Sequence, residues 1–185
     1  ISWIKTKYYN YKLSQADKYY VKYGDFSQAT LIYESLLGKQ PLADAHFARM
    51  LVDNALRISE KLDVLKRLLE LRQNVSEESK SDFNSTLNKH VSSIETLASR
   101  CFSLENYKDA VDLIVSIKGF RNDQRYSNNV NRYKAYYNFK LANSESLQTA
   151  GLFKNAVFYL NQLSYTPISE IKELIKILEK QNRFA

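Results

Sequence analysis

Two histidines, His46 and His90, and a single cysteine, Cys101, are the side chains that could bind a transition metal or act as a nucleophile. Neither histidine has a second histidine, a cysteine or a carboxylate at ligand spacing, which argues against a zinc or iron site. Cys101 occupies an apolar position of a helical pattern, where a thiol is buried and unreactive. The four glycines are too dispersed to form a phosphate-cradling loop. Glu77, Glu78 and Glu173 read as solvated charges. The sequons Asn74-Val-Ser and Asn84-Ser-Thr are expected by chance in a chain rich in Asn and Ser. The expectation is a protein that is not an enzyme and carries no cofactor or metal.

The richer chemistry lies between Arg121 and Lys140, where five basic residues and one acidic residue are interleaved with Tyr and Asn. Arg and Tyr are common interface anchors, because each combines a broad contact surface with hydrogen bonding. Asn can hydrogen-bond an extended peptide backbone. Arg125, Arg132, Tyr133, Tyr136, Tyr137 and Lys140 are therefore the candidate partner-binding residues. The tyrosines can equally pack against neighbouring helices, and one or two of Tyr133, Tyr136 and Tyr137 are expected in the core. Arg132 and Lys140 are expected to point to solvent.

Positioning such residues requires a scaffold, and the composition narrows its type. The 185 residues suit one domain with a sizeable core. Only four Gly and two Pro punctuate the chain, which favours long helices over β-hairpins. The formal charge of +7 fits an acidic partner, such as a carboxylate-rich peptide, nucleic acid or anionic lipid headgroups. It fits a merely soluble basic protein as well. One cysteine excludes an internal disulfide framework and agrees with a reducing, cytoplasmic setting.

A recurring unit sets the architecture. Gly24-Asp-Phe26-Ser-Gln-Ala29 is echoed by Glu105-Asn-Tyr107-Lys-Asp-Ala110 and by Gly151-Leu-Phe153-Lys-Asn-Ala156. After each Ala, apolar residues follow four and seven positions later: Tyr33 and Leu36, Ile114 and Ile117, Leu160 and Leu163. These offsets put the Ala and both apolar residues on one face of a helix, with the aromatic wedging the turn before it. Helical spacing also precedes the block, through Leu13, Ala16 and Tyr20 and through Ile94, Leu97, Ala98 and Cys101. Each unit is thus a helix, a tight turn and a second helix.

On these residues the chain resembles the tetratricopeptide repeat family. The first unit matches best, through Leu13, Tyr20, Gly24, Phe26, Ala29, Tyr33 and Pro41. The last keeps Gly151, Phe153, Ala156 and Pro167, and the middle one lacks the Gly and the Pro. Ala29 and Ala110 stand 81 residues apart, room for a degenerate unit built on Phe47, Met50 and Leu51 with Val64, Leu65, Leu68, Leu69 and Leu71. The resemblance implies an all-α chain of helix-turn-helix repeats stacked as a short right-handed solenoid. Its units would span about 10–41, 42–74, 79–118 and 126–167, with a capping helix over 168–182. In this cap Ile171, Leu174, Ile175 and Leu178 form the expected buried stripe.

Helices are expected over about 3–22, 26–38, 42–57, 60–73, 79–103, 107–118, 126–149, 153–163 and 168–182. The run 74–81 reads as a loop ending in helix-capping residues. The resemblance further implies that first-helix residues of each unit line a concave face that binds a peptide or protein, acidic in view of the charge. The family's clamp for a peptide C-terminus uses Lys and Asn on successive first helices. Ser14 and Lys18 stand at the corresponding positions, so that clamp is not reproduced.

Two other readings stay open. Lys5, Lys7, Lys12, Lys18 and Lys22 with nearby tyrosines could serve a nucleic-acid-binding repeat, although these lysines are spread around their helix and show no base-reading code. Trp3, Tyr8 and Tyr9 beside Lys5 and Lys7 also resemble the flank of a membrane helix. That would suit an assembly factor tethered by an anchor upstream of Ile1. An ordinary helix start is the simpler account of these residues, and no apolar run in the chain approaches a bilayer span.

Overall fold

A computed structural model describes residues 2–144 and 149–184. Among the described residues all regular structure is helical, in nine α-helices and one short 3-10 turn at Lys118–Phe120. The helices are α1 (Ser2–Val21), α2 (Phe26–Leu36), α3 (Ala43–Asn54), α4 (Ile58–Arg72), α5 (Glu77–Ser103), α6 (Tyr107–Ser116), α7 (Gln124–Ser144), α8 (Thr149–Asn161) and α9 (Ile168–Phe184). The chain divides into two compact units, Ile1–Ser93 and Ile94–Ala185. Residues of α5 contribute to both.

In the first unit α1 packs on α2, α2 on α3 and α3 on α4, while α1 also touches α3. Ala16 and Ala29 are fully buried, as expected of small residues where helix backbones approach closely. Tyr33 stacks on Phe47 at 5.7 Å and donates its hydroxyl to Asp17 at 2.5 Å. His46 Nδ1 lies 2.9 Å from the same carboxylate, so α1, α2 and α3 are joined by one partly exposed polar contact set. Asp25 caps α2, its carboxylate accepting from the Gln28 amide at 3.1 Å.

The polar run 74–81 is shorter as a loop than its composition suggests. Helix α5 starts at Glu77 because Ser76 acts as the cap, its hydroxyl accepting from the Ser79 amide at 3.3 Å. Glu77 and Glu78 then sit in the first turn, where the helix dipole favours negative charge. Ser79 is buried and holds the start of α5 in place by donating to the Pro41 carbonyl at 2.6 Å.

In the second unit α6 packs on α7, α7 on α8, and α7 also contacts α9. Its core joins Tyr107, Ala135, Tyr136, Leu160 and Leu174, with Phe102, Tyr137 and Phe139 packed against them. Ala110 and Ala156 are both buried. Helix α7 is opened by Asp123, whose carboxylate accepts from the Tyr126 amide at 2.7 Å.

The turns before α2 and before α6 share one backbone conformation, although only the first carries a glycine. Gly24 has φ 63°, and Glu105, which takes its place in the middle unit, has φ 62°. In both, the next residue donates back to the preceding helix: Asp25 to the Tyr19 carbonyl at 2.9 Å, Asn106 to the Cys101 carbonyl at 2.8 Å. The third echo differs. Gly151 lies inside α8, which begins at Thr149, so it is not the turn glycine. The expected end of α7 near 149 involves residues 145–148, outside the described residues.

A second correction concerns α9. Its buried side is Glu170, Leu174 and the half-buried Ile177 and Leu178, whereas Ile171 and Ile175 are exposed. The reason is polar: the Glu170 carboxylate is engaged by tyrosines from neighbouring segments, and the buried face lies roughly 65°, less than a fifth of a revolution, from the face the apolar pattern favours.

Candidate functional site

The six candidate residues all lie on α7, but its helical spacing and the segments around it divide them among three clefts of the second unit. The first cleft, about 430 Å³, is lined by Phe102, Tyr107, Arg132 and Tyr136 together with Glu105, Glu170 and Glu173. The second, about 360 Å³, brings Arg125 and Tyr133 together with Arg100, Asn129, Ser99 and Glu95. The third, about 260 Å³, is formed by Tyr137, Lys140, Leu141, Tyr107 and Lys108.

Arg132 does not point freely to solvent. Its guanidinium stacks over the Phe102 ring at 4.5 Å, and Nη1 stands 4.0 Å from a Glu170 oxygen. Its Nε is buried without a hydrogen-bond partner among the described residues. Glu170 is only 8% exposed and accepts hydroxyls from Tyr136 and from Tyr165, the latter at 2.8 Å. A buried carboxylate needs such donors and a nearby cation, because desolvation otherwise penalises its charge. Burial and the Glu170 hydrogen bond push the Tyr136 hydroxyl far above its ordinary range, so it remains a proton donor.

Tyr133 and Tyr136 are both buried, as expected for two of the three tyrosines, and both rings meet Phe102 at 4.6 and 4.8 Å. Lys140 is likewise engaged. Its ammonium donates to the Glu105 carbonyl at 2.9 Å and lies 5.3 Å from the Tyr107 ring, so it satisfies the turn where the backbone enters the left-handed region. The expectation that Arg132 and Lys140 face solvent is therefore corrected. Long cations on this helix find aromatic faces and exposed carbonyls within reach, and their stems pack along the way.

Arg125 behaves differently. It is exposed, and so is Arg100, which sequence reasoning overlooked. The one carboxylate of their cleft, Glu95, is engaged by Arg121 at 3.5 Å. Arg100 lies four residues after Thr96 and three before Ser103, on a polar helix face set off from the buried Ile94, Ala98 and Cys101, and this was the signal available for it. Burial raises the Cys101 thiol above its usual range, with Asp109 adding to the effect, which keeps it protonated and unreactive.

Among the described residues no group of three or more His, Cys, Asp or Glu side chains is arranged to hold a metal ion. No helix of the described residues is long and apolar enough to cross a membrane. No protein-family model, curated protein or solved structure matches this chain.

Proposed function

We propose that this protein is a non-catalytic interaction module of degenerate tetratricopeptide-like hairpins, stacked as a short right-handed solenoid, which binds an acidic segment of a partner protein along α7. The observation that carries this reading is the cleft between Arg100 and Arg125. Two exposed guanidiniums share it, while Arg121 occupies its only carboxylate. An arginine fork matches a carboxylate in planar, bidentate fashion. Asn129 and Ser99 add polar groups for a peptide backbone. The family resemblance and the preserved left-handed turn at Glu105 support the repeat part of the reading.

The neighbouring cleft suits the same partner less. Its cation, Arg132, already serves Phe102 and Glu170, and Glu105, Glu170 and Glu173 would repel an acidic chain. The reading therefore moves the anchor from Arg132 and Lys140 to Arg100 and Arg125, with Tyr133 as the floor.

Fluorescence anisotropy with labelled Asp- and Glu-rich peptides tests it. The parent chain binds and loses affinity as salt rises, because exposed charges are screened over about 8–10 Å at physiological ionic strength. R100E with R125E abolishes binding without changing helix content, whereas Arg132→Ala loosens the second unit. Equal peptide affinity in parent and R100E/R125E would reject the site. A gel shift with random oligonucleotides, retained by the parent and showing a steep salt dependence, would favour a nucleic-acid partner instead.

A further inference from the structure

Helix α1 carries a surface that the α7 reading leaves unused. Its packing side is defined by the buried Leu13 and Ala16 and by Asp17, which meets Tyr33 and His46. On the opposite side Ile4, Tyr8 and Tyr11 follow one another at i, i+4 and i+7, a continuous strip at 3.6 residues per turn. They are 55%, 55% and 64% exposed, and Trp3, about 100° round the helix from Ile4 on the Lys7 side, is 61% exposed.

Lysines border this strip on both sides. Lys5 and Lys12, seven residues apart, lie along one edge, and Lys7 and Lys18 along the other. Lys7 lies 5.0 Å from the Trp3 ring. Residues 2–16 contain no carboxylate, and the first one, Asp17, faces the packing side.

We infer that this outer face of α1 lies on an anionic lipid surface, with Trp3, Ile4, Tyr8 and Tyr11 at the headgroup boundary and the flanking lysines on the lipid phosphates. An apolar strip edged by long cations is the arrangement that lets aromatic rings enter the interface while ammonium groups reach outward from their stems. Trp and Tyr favour that boundary because their rings are apolar and their N–H and O–H groups stay wet. Nucleic acid fits less well. A polyphosphate surface has no place for Ile4, and the face contains lysines but none of the arginines that read phosphates and bases in fixed geometry.

Trp3 is the sole tryptophan, so its emission reports directly on this face of the intact chain. The test adds vesicles of phosphatidylcholine alone, or of phosphatidylcholine mixed with phosphatidylglycerol, with and without brominated acyl chains. The expected result is a blue shift and bromine quenching on the anionic vesicles, with little of either on phosphatidylcholine. Each lysine near such a surface is worth about fivefold in partitioning, so K5Q/K7Q/K12Q lowers binding about a hundredfold. Ile4→Ser with Tyr8→Ser and Tyr11→Ser removes the quenching. An unshifted spectrum on anionic vesicles overturns the inference, as does binding without bromine quenching. A larger shift with single-stranded oligonucleotide at matched phosphate concentration overturns it as well. R100E/R125E leaves the vesicle response intact, which separates this surface from the α7 cleft.

Discussion

Glu105→Gly should stabilise this protein although it deletes a whole side chain. Glu105 holds φ 62°, a conformation that costs an L-residue with a Cβ about 1–2 kcal/mol. Glycine escapes this cost but brings more freedom to the unfolded chain, which offsets about 0.4–1 kcal/mol. The contacts that define the turn are made by backbone atoms: the Glu105 amide to Phe102, the Asn106 amide to Cys101, and Lys140 to the Glu105 carbonyl. All of them survive the substitution. The net gain is then about 0.5–1 kcal/mol.

The counterpart is Gly24→Ala. An added Cβ there meets no atom within 4 Å, so only the backbone conformation at φ 63° opposes it. The same arithmetic gives a loss of about 0.5–1 kcal/mol. For a chain of this size each change moves the melting midpoint by about 1–4 °C, in opposite directions. Urea denaturation followed by circular dichroism at 222 nm measures both, with unchanged slopes showing that the transition is the same. If Glu105→Gly lowers stability, or the two substitutions shift the midpoint in the same direction, the equivalence of these turns is refuted.

His90 is fully buried, and its Nε2 lies 2.8 Å from the Lys61 carbonyl, which can only accept; the neutral ring therefore carries its proton on Nε2 and leaves Nδ1 bare. Burial holds its pKa below the ordinary 6.5, so the unfolded chain protonates first: the contribution is complete above pH 6.5 and is lost as pH falls through the folded value. Urea midpoints at pH 7 and pH 5 should fall less steeply for His90→Phe than for the parent, and equal slopes would refute the assignment. Ala110→Leu inserts three methyl-sized groups at a fully buried crossing and should cost about 1–3 kcal/mol by thermal melting; a parent-like melt would show the site can expand. Tyr136→Phe leaves the buried Glu170 one donor short and should cost about 1.5–3 kcal/mol, a loss that Glu170→Gln reduces in a double-mutant cycle if the hydroxyl–carboxylate contact is responsible.

What the sequence determined by itself was the helical inventory, because its signals are local. Apolar residues at Ala29, Tyr33 and Leu36 share a helix face by spacing alone, and Asp25 caps the helix from three residues away. Even the missing glycine was legible as a turn, since Glu105 stands where the pattern demanded one. Gly151 misled because a glycine in a turn and one in a first helical turn look the same without their backbone angles. The α7 cations needed the tertiary structure. Arg132 meets Phe102 and Glu170, and Lys140 meets the carbonyl of Glu105, each across 30 residues or more of chain. No local period records such a meeting, and a long flexible side chain goes wherever a ring face or an unpaired oxygen lies within reach. The buried Glu170 likewise shifted the packed face of α9: with hydroxyls supplied by Tyr136 and Tyr165 the carboxylate is covered beside Leu174, and Ile171 and Ile175 are left exposed. Arg100 and Arg125 came to share one cleft for the same reason, since only the packing of the second unit brings the end of α5 beside the start of α7.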